Sequence, residues 1–161
     1  MLALNSPAPA LAVQVAGGDP ADPSAVGRMP LTDLAGPGGL LVYLMRTTTC
    51  PVCAAHVRSL VADRPRFEQA GVQLAVAVPE DAGTALEWAT KRRPGAPVVT
   101  GVGRSVHEWA GFARKALGTM QQSGTVLLDG AGVVRHVHAA TMPVAALDRR
   151  GLEQAVAALA V

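Results

Sequence analysis

Aromatic side chains are scarce in this chain of 161 residues: two Trp, one Tyr and two Phe, only 3% of the total. Half of the residues are hydrophobic, so the core has to be built from Ala, Val and Leu. Charge of one sign is lacking too. Fourteen basic and twelve acidic residues leave a formal charge of +2, too balanced for a nucleic-acid surface. The densest basic cluster, "KRR" at 91 to 93, reads as a solvated helix end. No apolar run approaches the roughly 18 to 20 residues that span a bilayer, which argues against a membrane protein. The N-terminal stretch is apolar but has no basic lead, and Pro7 and Pro9 interrupt it, so no signal peptide is expected and the chain is placed in the cytoplasm. Cysteine is nearly absent, with two in all. Structural disulfides are rare in the cytosol, so a pair there points to catalysis, metal binding or simple burial. There are no internal repeats and no low-complexity tail.

The length suits one domain over residues 1–161, with 1–10 an extended lead-in. "LAVQVA" (11–16) alternates weakly and predicts a strand, and the turn-rich 17–30 predicts a loop or short hairpin. Residues 31–36 suit a helical turn. "LLVYLM" (40–45) is a continuous apolar run of strand length, as expected for a central strand covered on both faces. A helix is predicted from Pro51 to about Glu68, interrupted at Pro65. "GVQLAVAV" (71–78) predicts a second buried strand, 79–92 a helix with acidic residues early and basic residues late, and 96–101 a third strand. Residues 105–118 predict a helix stopped by Gly118. "GTVLLDGAGVVRHVHAA" (124–140) predicts two strands around a turn that contains Asp129. Residues 147–160 predict a final helix capped by Asp148. Strands alternating with helices imply parallel crossovers, and a hairpin followed by a helix adds an antiparallel edge. The fold class is therefore α/β, one mixed sheet with helices on both faces.

Both cysteines, Cys50 and Cys53, lie at the seam between the apolar run and the first helix. Pro51 suits the first helical turn, which places Cys50 at the helix N-terminus. Unpaired N–H groups and the positive end of the helix dipole favour a thiolate there. Arg46 is a candidate second cation, and Thr47, Thr48 and Thr49 offer hydroxyls to a thiolate or a bound oxygen. Cys53 follows about one turn later and can approach Cys50, so the spacing makes a reversible dithiol switch. Cys50, the more N-terminal and the more exposed by position, is the nucleophile, and Cys53 the resolving thiol. His56 is a candidate proton shuttle, although a partly exposed helix residue is the plainer reading. A metal site would need a second ligand pair besides the dithiol, for which His56, His107, His136 and His138 are the available histidines. Trp88 and Trp109 read as core residues rather than ligand platforms.

The order of elements, with "VYLMRTTTCPVC" closing the central strand, resembles the thioredoxin-like fold. Within it, the chain is most similar to peroxiredoxin-like proteins of the alkyl hydroperoxide reductase/thiol-specific antioxidant family. The match rests on that segment, on "GVQLAVAV" after the active-site helix and on the late hairpin, and spans about residues 8 to 160. The resemblance implies that Cys50 is the peroxidatic cysteine and that Thr47, three residues before it, helps to hold the peroxide. It also implies a Cys50 sulfenic acid resolved by Cys53 and a disulfide reduced by a thioredoxin-like protein or a low-molecular-weight thiol. Arg46, Thr49, Pro51 and His56 complete the candidate site. No cofactor, metal or nucleic acid is implied, and a homodimer is left open. In the family pattern P-x-x-x-T-x-x-C, Tyr43 takes the place of the proline. The late segment "MQQSG" has no arginine where the family has one, and Gly124 and Thr125 stand where thioredoxins have a proline opposite the dithiol. Three functions compete: a thiol peroxidase, a protein thiol–disulfide oxidoreductase or redox partner protein, and a thioredoxin-like metal-binding carrier.

Overall fold

A computed structural model of the chain describes residues 1–16, 26–115 and 120–159. The central apolar run forms β3 (Gly39–Leu44), and every residue of this strand is buried. Its side chains alternate between two faces. Leu41 and Tyr43, with Met45 beyond the strand end, enter one hydrophobic cluster, while Leu40, Val42 and Leu44 enter another. A strand packed on both faces has no polar face to present, hence the unbroken apolar sequence.

On one side β3 pairs antiparallel with β8 (Ser123–Asp129), which pairs antiparallel with β9 (Val134–Ala140). On the other side lies β4 (Val72–Ala77), where the Met45 N–H donates to the Ala77 carbonyl at 2.9 Å. β4 runs parallel to β5 (Val98–Gly101). β5 pairs antiparallel with β1 (Ala12–Ala16), and β1 with β2 (Val26–Pro30). The mixed sheet thus runs β2-β1-β5-β4-β3-β8-β9. A two-residue ribbon, β6 (Arg114–Lys115) with β7 (Met120–Gln121), stands beside it. The turn-rich stretch after β1 therefore ends in a hairpin strand; its residues 17–25 lie outside the described residues.

Helices α1 (Pro51–Ala62), α2 (Arg64–Gln69), α3 (Ala82–Arg92) and α5 (Arg149–Leu159) cover the first face, contributing Cys53, Val57, Leu60, Phe67, Ala85, Ala89 and Leu152. The second face is covered by α4 (Val106–Ala110) and by the N-terminal segment around Leu11. The expected helix at 51–68 is divided at Asp63, and Pro65 opens the first turn of α2, where its missing N–H costs nothing. Asp81 caps α3 through Thr84 N–H, and Asp148 accepts from Gly151 N–H at 3.0 Å at the start of α5.

The helix expected over 105–118 is corrected: α4 ends at Ala110. Its C-cap, Gly111, has φ +80°, a conformation that glycine adopts without steric cost. The chain then leaves the helix toward β6. The proposed stop at Gly118 lies outside the described residues. The N-terminal lead-in is pinned rather than free. Leu2 N–H bonds to Ala110 O, Asn5 N–H to Val134 O, and the Trp109 indole N–H to Pro9 O at 2.7 Å. Trp109 is thus a core residue, as expected. Among the described residues no helix is long and apolar enough to cross a membrane.

Candidate active site

The site grows from the end of β3. Met45 N–H is tied to β4, and Met45 O is held from the opposite face by His107 Nε2 at 2.7 Å. The next residue turns inward, and Arg46 N–H donates to Cys53 Sγ at 3.4 Å. Cys50 N–H then bonds to Thr47 O, and Cys50 O accepts from Ala54 N–H, closing the first helical turn. Cys50 is the N-cap residue of α1, with Pro51 at the start of the helix, as the sequence predicts.

The Cys50 sulfur caps the helix itself, accepting the Cys53 N–H at 3.3 Å. A hydrogen bond of this kind strengthens as its acceptor becomes anionic. Both thiols are free and buried, but unequally: Cys50 keeps 7% of its surface exposed and Cys53 none. Cys50 opens on a cleft of about 370 Å³ lined also by Thr48, Thr49, Pro51, Trp88 and Arg92. Burial pushes the Cys53 thiol up to about 11, against the opposing effect of the Arg46 N–H. An incoming molecule therefore meets Cys50 first.

The remaining predicted residues divide. Thr47 and Thr49 lie together, their hydroxyls 3.0 Å apart, beside the nucleophile. The Arg46 side chain reaches the strand β7. Its Nη2 donates to Met120 Sδ at 3.3 Å, and its buried Nε has no partner. The arginine-free late segment thus supplies a sulfur on which Arg46 rests. His56 Nδ1 lies 2.8 Å from the Tyr43 hydroxyl, and the two rings meet edge to face. Burial, and then the charge of Arg149, lower the His56 pKa. Trp88 packs on the core, as expected, but also lines the cleft.

The histidines offered as metal ligands are occupied elsewhere: His107 by Met45 O, His136 by the Thr125 hydroxyl at 3.2 Å, and His138 by Ala145 O. Among the described residues, no three His, Cys, Asp or Glu side chains come together to hold a metal ion. Asp129 is a turn residue, as expected: its Oδ1 accepts from Ala131 N–H and Val133 N–H.

Two contributors were not singled out by the sequence. Glu80, just after β4, clamps the cysteine loop by accepting from Thr48 N–H at 2.9 Å and from the Thr48 hydroxyl. No local pattern joins residues 48 and 80. Tyr43 stands where the family pattern has a proline, yet its phenol, buried in the cluster that holds Cys53, meets His56 Nδ1. The two-residue alternation of β3, which puts Leu41, Tyr43 and Met45 on the α1 face, was the available signal.

A mixed sheet with a helix-capping dithiol at the end of its central strand defines a thioredoxin-like redox protein. The model of the AhpC/TSA family matches residues 4–137, and the chain belongs to that family of peroxiredoxin-like thiol peroxidases. Among solved structures, Mycobacterium tuberculosis AhpC superposes with a TM-score of 0.75 at 16% identity, over 99% of this chain and 93% of that one. Peroxidoxin BcpB from Mycobacterium tuberculosis gives 0.74 at 15% identity, over 99% and 97%. Enterococcus faecalis AhpC gives 0.78 at 10% identity, over 98% and 93%. At these identities the likeness establishes the fold. No curated protein matches the sequence.

Proposed function

We propose that the protein reduces peroxides through Cys50 and regenerates itself through Cys53. One observation carries this reading: the only partly exposed thiol of the pair caps α1, accepts an N–H, and faces a cleft. In the first step the Cys50 thiolate attacks one oxygen of the O–O bond. The S–O bond forms as the O–O bond breaks, leaving Cys50 as a sulfenic acid and releasing an alcohol or water. The Thr47 and Thr49 hydroxyls are the donors available to the peroxide oxygens, and Arg46 is the candidate cation. Cys53 then attacks the Cys50 sulfur, expelling the oxygen as water and closing a disulfide. A thioredoxin-like protein or a small thiol would restore the dithiol by exchange, in a monomer or a homodimer. Domain extent over the whole of 1–161 and a cytoplasmic site of action belong to the same reading.

The test is stopped-flow oxidation by hydrogen peroxide with thiols counted before and after. Wild type loses two thiols rapidly. Cys50→Ser loses none at that rate, and Cys53→Ser accumulates a sulfenic acid that a dimedone-type reagent traps. Loss of thiols no faster than for a free thiol in solution would overturn the reading. Turnover of a protein disulfide such as insulin's would then mark the protein as a thiol–disulfide oxidoreductase.

A further inference from the structure

The cleft in front of Cys50 has two helical walls. On α1, Ala54, Val57 and Arg58 share one face; on α3, Trp88 and Arg92 stand four residues apart and share another. The walls enclose about 370 Å³, a volume suited to a small molecule. Val57 and Trp88 pack in the core cluster beneath the cleft and give it an apolar lining.

The arginines lie away from the nucleophile. Arg58 is eight residues along α1 from Cys50, about 12 Å at 1.5 Å per residue. Helix α3 starts just after Glu80, which holds Thr48, and reaches Arg92 in its last turn. The turn that follows closes on α1 beyond Arg58. A Cβ placed on Gly95 would lie 3.2 Å from Val61 Cγ1 and 4.0 Å from Arg64 Nη2. The cleft thus has a thiol near the start of both helices, apolar surface between, and guanidinium groups toward its far end.

The charge at that end is of one sign. Arg58, Arg64 and Arg92 join no ion pair among the described residues. The neighbouring carboxylates are engaged: Asp63 by Arg149, Glu80 by Thr48 and Glu87 by Lys91. No acidic side chain lines the cleft among the described residues. A guanidinium pairs with a carboxylate through two parallel N–H donors, and it is more weakly hydrated than an ammonium.

We propose that the cleft selects hydroperoxides that carry a carboxylate remote from the O–O group on an apolar body, with Arg58 and Arg92 as the selecting residues. The proposal rests on Cys50 being the thiol that attacks peroxide. The Cys50 thiolate takes the outer oxygen, so the S–O bond forms as the O–O bond breaks. The alkoxide left behind takes one proton from water and departs as a hydroxy acid. The carboxylate is unchanged throughout, so Arg58 and Arg92 act on binding and orientation and take no part in the bond changes.

The test uses probes that need no peroxide. Reduced protein is mixed with an aromatic disulfide bearing carboxylates, of the thionitrobenzoate type, and separately with an uncharged dipyridyl disulfide. The ratio of the two rates at Cys50 cancels any change in thiol reactivity common to both. Both arginine side chains are exposed, so their replacement leaves the core intact, which a urea midpoint checks. Arg58→Gln combined with Arg92→Gln should lower the ratio at least threefold at low salt, and Arg58→Lys combined with Arg92→Lys should keep most of it. Octanoate should slow the uncharged disulfide in wild type more than octanol does, and the Arg→Gln double variant should lose that difference. An unchanged ratio in the Arg→Gln double variant, or equal protection of wild type by octanoate and octanol, would overturn the proposal. Failure of peroxide to oxidise Cys50, with the ratio still shifted, would instead remove the peroxidase reading and leave the selection of a carboxylate standing.

Discussion

Acid should loosen the molecule at His107, on the opposite face of the sheet from the dithiol. This imidazole is fully buried, its Nε2 bonds to Met45 O, and its Nδ1 has no partner. Burial, reinforced by Arg114 and opposed by the Met45 carbonyl and Glu108, lowers its pKa to about 4 from an ordinary 6.5. A histidine with a depressed folded-state pKa binds its proton more readily in the unfolded chain. Its contribution to stability is complete above pH 6.5 and is lost as pH falls toward 4. At 1.36 kcal/mol per pH unit the shift corresponds to about 3 kcal/mol lost by pH 4, a large share of the roughly 5 to 15 kcal/mol that holds a domain folded. Urea midpoints measured from pH 7.5 to 4 give the slope. His107→Gln retains an N–H donor for Met45 O but cannot titrate, so most of that slope should disappear, leaving a residue from His56 and His136, whose pKa values burial also lowers. A His107→Gln profile parallel to wild type would refute the reasoning. Because Met45 directly precedes Arg46, the same variant tests whether this bond holds the cysteine loop: a lowered rate of Cys50 oxidation at full folding would show that it does.

Glu80→Ala should cost about 1 to 3 kcal/mol, since it strips a charged acceptor from Thr48 N–H and hydroxyl. It should also slow Cys50 oxidation in proportion to the loosened loop, read by urea midpoint and stopped flow together. Arg58 and Arg92 both line the Cys50 cleft, and neither joins an ion pair among the described residues. Reversing both to Glu should therefore lower the oxidation rate by a carboxylate-bearing hydroperoxide about fivefold or more relative to an uncharged one, with salt shrinking the difference. Equal rates for the two substrates in wild type and variant would show that these arginines are only solvated.

The local part of the site was legible because it is written in consecutive residues. A strand-length apolar run, a helix-favouring proline and a C-x-x-C pair fix where Cys50 and Cys53 stand, whatever surrounds them. The two-faced burial of β3 could be read from the absence of alternation in "LLVYLM", and the late hairpin from its turn. Long-range partners could not be read. Nothing in the sequence around Arg46 shows that Met120, remote in sequence, accepts from its guanidinium. The helix at 105–118 failed for a similar reason: apolar spacing continues past Gly111, but the left-handed conformation there and the N-terminal segment packed against it end α4 early.

The departures from the family pattern belong together once the neighbours are seen. A proline in place of Tyr43 would have no polar side chain beneath the dithiol and no N–H for the β3–β8 ladder, where Tyr43 lies opposite Thr125. A phenol buried there requires a partner, because an unpaired hydroxyl in the core costs about 1 to 3 kcal/mol. His56 supplies that partner from α1, one turn beyond Cys53. The missing late arginine and the placement of Arg46 are linked in the same way through Met120. The two changes bring a phenol and a thioether to the site, the phenol into the cluster that holds Cys53 and the thioether against Arg46.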